Sequence, residues 1–65
     1  MDGFTATMIA EGQYDLAGYS DDNPPDQETV IDAWQYLIDT GIVWQLQGYF
    51  GHIATQLIEQ DYCHR

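Results

Sequence analysis

The chain has 65 residues, which sets a ceiling of one small domain. Eleven Asp and Glu stand against a single basic residue, Arg65, for a formal net charge of −10. That balance sets the chain against strong binding of nucleic acid through phosphate neutralisation and against anionic membranes, and the short length leaves little sequence for an enzyme once a core is built.

Apolar residues make up 45% and aromatics 14%, which separates the chain from a disordered acidic tail. A chain of this size buries only about 60% of its unfolded surface, so self-association is an expected extra source of stability. The lone Cys63 cannot form an internal disulfide, which fits a reducing compartment. No segment reads as a signal peptide or a membrane span, so the expectation is a soluble intracellular protein.

In chain order, residues 1–12 form a short N-terminal element. Thr5–Glu11 reads as a short helix capped by Gly12, with Met8 and Ile9 turned inward. The alternation of Phe4, Ala6 and Met8 also permits a strand, but a lone strand has no partner in this chain. Residues 13–25 hold Gly18, Asp21, Asp22, Pro24 and Pro25, and read as an acidic loop. A helix of about 25–39 follows, starting near Pro24–Asp26 with Asn23 or Asp22 as its cap. Val30, Ile31, Ala33, Trp34, Leu37 and Ile38 share one side of it, and Glu28, Asp32, Gln35 and Asp39 the other. Gly41 reads as its stop.

A second helix of about 42–61 is expected, with Ile42, Leu46, Tyr49, Phe50, Ile53 and Leu57 as its apolar stripe. The short connection makes the pair an antiparallel helical hairpin. Residues 62–65 read as a frayed tail. The predicted fold is therefore all-α: a hairpin at 26–61 with a short N-terminal helix packed on it, within one domain spanning 1–65. Trp44, Gly48, Gly51 and Thr55 also line up at helical spacing, and two glycines inside a helix call for an offsetting contact. Two occupants of that face stand open: the segment Phe4–Ala10, or a second copy in a homodimer.

For chemistry, the acidic residues Asp21, Asp22, Asp26, Glu28, Asp32 and Asp39 come first. Each alone is ordinary solvated surface, but a near absence of Lys and Arg is not, because soluble surfaces mix both signs. A calcium loop fits poorly, because two prolines stand where ligands are needed. His52, Asp61, Cys63 and His64 lack zinc-site spacing, and Cys63–His64 lacks the third orienting group and oxyanion hole of a nucleophilic site. The expectation is no catalytic residue, no metal and no cofactor.

The run Ala33-Trp34-Gln35-Tyr36-Leu37-Ile38-Asp39-Thr40-Gly41, then Trp44-Gln45-Leu46-Gln47-Gly48-Tyr49-Phe50-Gly51, then Ala54 and Leu57-Ile58-Glu59, resembles a family of short uncharacterised proteins of tailed bacteriophages. Phe4–Gly12 resembles that family's opening. The chain departs from the family pattern at His52-Ile53-Ala54, where Arg-Thr-Ala is usual. The resemblance carries no activity or catalytic residue with it. It implies a viral origin and action in the host cytoplasm.

Charge and resemblance together lead to a non-enzymatic modulator of a basic host protein, a nucleic-acid-handling enzyme or nucleoid protein. Its acidic surface would be the working face, by DNA mimicry in one version, with Tyr14, Tyr19 and Tyr36 as anchors. No direct contact with nucleic acid or membrane is expected. The alternative is a self-associating helical structural or adaptor module of the phage, in which the glycine face matters and the charge serves solubility.

Overall fold

The computed structural model describes residues 1–46 and 48–65. Its helices are α1 (Gly3–Glu11), α2 (Gln27–Thr40) and α3 (Gly48–Glu59), with a 3-10 turn at Ile42–Gln45 between the last two. Among the described residues there is no strand, only an isolated bridge from Ser20 to Asn23. The all-α expectation, with a short N-terminal helix packed on two others, holds.

Both α1 and α2 start on the same device. The carboxylate of Asp2 accepts from the Thr5 amide at 2.8 Å, and that of Asp26 from the Thr29 amide at 2.8 Å. Each satisfies an amide that the first helical turn leaves without a partner. The cap of α2 is thus Asp26, not the expected Asn23 or Asp22. The reason lies in the two prolines. Each restricts the residue before it to extended backbone, so the helix cannot begin until Asp26, itself extended. The Asn23 amide is spent on Ser20 in a tight turn.

The loop of 13–25 is built from turns. Gln13 to Ala17 form one helical turn, closed at Gly18, which has φ +97°, by bonds from Gly18 to Asp15 and from Tyr19 to Tyr14. Gly12 closes α1 in the same manner, its amide on Ile9 and that of Gln13 on Met8.

The expected continuous helix over 42–61 is corrected. Gly41 ends α2 in the left-handed region at φ +79°, and the chain makes only a 3-10 turn before Leu46 turns extended. Gln47, inside that expected helix, lies outside the described residues. The physical cause is local: Gly48 gives no helical push, and β-branched Ile42 and Val43 resist an α start. The turn drives Val43 fully into the core. α3 then ends at Glu59, two residues short of the expected end.

The core gathers Ala6 and Ile9 of α1, Ala33, Trp34, Leu37 and Ile38 of α2, Val43, Phe50 and Ala54 of α3, and Cys63. Ile9 is inward as expected, whereas Met8 is only half-buried and Ala6 takes the other inward place. Trp34 meets Phe50 with ring centroids 5.8 Å apart. Ile31 of α2 meets Cys63, beyond the end of α3.

Candidate partner-binding surface

α2 carries the acidic strip. At about 100° per residue, Glu28, Asp32, Gln35 and Asp39 fall within about 60° of one another. Glu28 to Asp39 spans about 16 Å of helix axis. Every expected acidic residue is exposed: Asp21, Asp22, Asp26, Glu28, Asp32 and Asp39. Asp21 and Asp22 sit within the turn that Ser20 and Asn23 close.

Asp26 has a second task as the α2 cap. The Thr29 hydroxyl, then the Thr29 amide, hold its carboxyl below the usual aspartate range. Asp2 is lowered likewise, chiefly by the Thr5 amide. Asp39 is also engaged, accepting from the Gln35 side-chain amide at 2.8 Å.

Two concavities adjoin the strip. A shallow one of about 390 Å³ is lined by Asp26, Gln27, Glu28, Ile31 and Asp32. A second, of about 270 Å³, lies between α2 and α3 and is lined by Gln27, Val30, Ile31, Trp34, Ile53, Leu57 and Tyr62. Gln27 and Ile31 line both, so an apolar groove continues into an acidic wall.

The expected aromatic anchors sit lower than a docking role asks. Tyr14, Tyr19 and Tyr36 are half-buried against the core. The exposed large apolar side chains are instead Met1, Phe4, Leu16, Trp44, Tyr49 and Tyr62. Sequence periodicity missed Tyr62 because it lies past the helix, in a segment read as frayed.

That segment is a further correction. Residues 62–65 are tied down. The His64 amide donates to Gln35 Oε1 at 2.9 Å, and Gln35 Nε2 donates to the His64 carbonyl at 2.7 Å. The Cys63 thiol is buried and faces the Ile31 carbonyl at 3.8 Å. Burial pushes that thiol's pKa up, and the charges of Asp39 and Asp32 add to the effect, so it stays protonated at neutral pH. The segment is turned back by Asp61, whose φ of +65° closes α3 as glycine closes α1. The Asp61 amide bonds Ile58 and that of Tyr62 bonds Leu57. No glycine marks this turn, so it was not legible from residue types.

On the glycine face, Gly51 takes its contact from Trp44 of the same face, not from Phe4–Ala10. The Trp44 ring lies where a Cβ on Gly51 would meet it at 3.6 and 3.7 Å, and the Arg65 guanidinium covers that ring at 4.9 Å. Thr55 turns inward on its own helix, donating to the Gly51 carbonyl at 2.8 Å. Gly48 is the first residue of α3 and is exposed, with open space around it. Only Gly51 is therefore an interior helix glycine, and Trp44 supplies its contact.

Among the described residues, no group of three His, Cys, Asp or Glu converges to hold a metal ion, and no helix is long and apolar enough to cross a membrane.

The features in hand are those of a small helical domain with an acidic wall beside an apolar groove. Residues 6–65 match the family described as Domain of unknown function (DUF7417), and the chain belongs to it. No curated protein and no solved structure matches the chain.

Proposed function

We propose that this protein is a non-enzymatic modulator, of phage origin and acting in the host cytoplasm, that binds a basic surface of a host protein which handles nucleic acid. The observation that carries this reading is the exposure of Asp21, Asp22, Asp26, Glu28, Asp32 and Asp39 in a chain of net charge −10. The one arginine, over Trp44, is a single positive charge against eleven acidic residues. Such a field speeds encounter with a basic cleft and selects against acidic partners. In its sharpest form the strip from Glu28 to Asp39 takes the place of a DNA backbone and inhibits by competition. Successive carboxylates at Glu28 and Asp32 lie about 6 Å apart along the helix axis.

The test is an affinity pull-down from bacterial host lysate, washed at low and high salt and read by mass spectrometry. Recovery of a basic nucleic-acid-binding protein that high salt releases, and that DNA displaces, supports the reading. Recovery of phage structural proteins alone overturns it in favour of a self-associating adaptor. That second reading draws less from the geometry, since Trp44 already occupies Gly51.

A further inference from the structure

We infer that the groove between α2 and α3 is a docking site for a short basic amphipathic helix of a partner protein. The inference rests on the reading above and specifies how contact is made. The groove is apolar on both walls, with Val30, Ile31 and Trp34 from α2 and Ile53 and Leu57 from α3. Tyr62 also lines it and remains 49% exposed. From Gln27 to Trp34 it runs about 10 Å along α2, the length of two helical turns. That length seats apolar side chains at i, i+3 or i+4, and i+7 of a partner helix.

Charge selects the occupant. The wall beside the groove carries Asp26, Glu28 and Asp32, the last two one helical turn apart and matched to Lys or Arg at the same spacing on a partner. A second copy of this chain would bring another net charge of −10 against that wall. A basic helix brings the opposite sign, and its apolar face fills what an oligocation or a DNA-binding cleft would leave open. Binding by this route is therefore more than electrostatic and retains part of its strength in salt.

The experiment uses the full chain, isotope-labelled, in an NMR titration. The probe is a synthetic helix of leucine and lysine, about four turns long, with leucines on one face. A lysine and serine peptide of equal charge, and a leucine and glutamate peptide, are the controls. The expected result is saturable shifts at Val30, Ile31, Ile53 and Leu57 with the first peptide, and binding at least about tenfold weaker with the others. Tyr62→Ala, at a half-exposed position that leaves the core intact, should weaken binding by about tenfold, while Glu28→Gln with Asp32→Asn should flatten its salt dependence. Equal binding of the two lysine peptides, or shifts confined to acidic residues away from the groove, overturns the docking site and leaves the pull-down reading standing. Absence of binding by the leucine and lysine peptide overturns the docking site too. Shifts at the same methyl groups on concentrating the protein alone overturn it in favour of a second copy.

Discussion

Asp2 and Asp26 each open a helix by accepting the amide of the threonine three residues on. Both carboxyls are held below the ordinary aspartate value of about 3.9. A group whose pKa is depressed on folding stabilises the fold above its unfolded value, and that contribution is lost as pH falls through the folded value. Carbon-detected NMR titration should find both midpoints below the ordinary value, and Thr29→Val should move the Asp26 midpoint back up. Asp61 is the opposite kind of residue, one that bears strain. It sits at φ +65°, where a side chain is disfavoured by about 1–2 kcal/mol and glycine is not. Asp61→Gly should stabilise the protein by about 0.5–1 kcal/mol in urea denaturation after glycine's greater freedom in the unfolded chain is subtracted. Gly12 and Gly41 could be read in advance as helix stops because glycine advertises the left-handed region. Asp61 could not, since aspartate tolerates the left-handed region but sits as readily on a solvated helix face.

At the scale of elements, periodicity found α2 well: Ala33, Trp34, Leu37 and Ile38 are all buried, and Gly41 ends the helix. It misjudged the following stretch, where an apolar stripe of helical spacing continues across a break in the backbone. Of the stripe, Ile42 and Leu46 turn inward in part without belonging to α3, whereas Tyr49, which does belong to it, stays exposed. The acidic strip was legible from spacing alone. The groove beside it was not, because it depends on how far α3 stands from α2 and on where Tyr62 returns. The placement of Gly51 leads to a prediction at this scale. A Cβ there meets the Trp44 ring at ordinary contact distance, so Gly51→Ala should raise stability by up to about 1 kcal/mol, seen as a higher Tm. A glycine kept for close approach of a second chain would give the reverse, a loss of association in sedimentation.

For the whole molecule, charge governs two responses of opposite sign. Self-repulsion of a chain at −10 is screened by salt, so Tm should rise between about 10 mM and 0.5 M sodium chloride while binding to a basic partner weakens. The radius of gyration is 11.2 Å, close to the value of about 10.7 Å for a compact chain of this length, and residues 62–65 lie against α2 through Gln35 and Ile31. The Gln35 clasp holds them there. Gln35→Ala removes the exposed bond to Asp39 and the two bonds to His64, the latter pair worth about 1 kcal/mol each, and should speed modification of Cys63 by a disulfide reagent about fivefold to thirtyfold. The clasp also makes the integrity of the core conditional. Cys63 is a core residue carried on a segment outside any helix, held against α2 by the Gln35 side chain and by the turn at Asp61. Release of that latch lets Cys63 leave α2 without unwinding a helix, so one seam opens at lower cost than the fold as a whole and offers reagents and proteases a route to the interior.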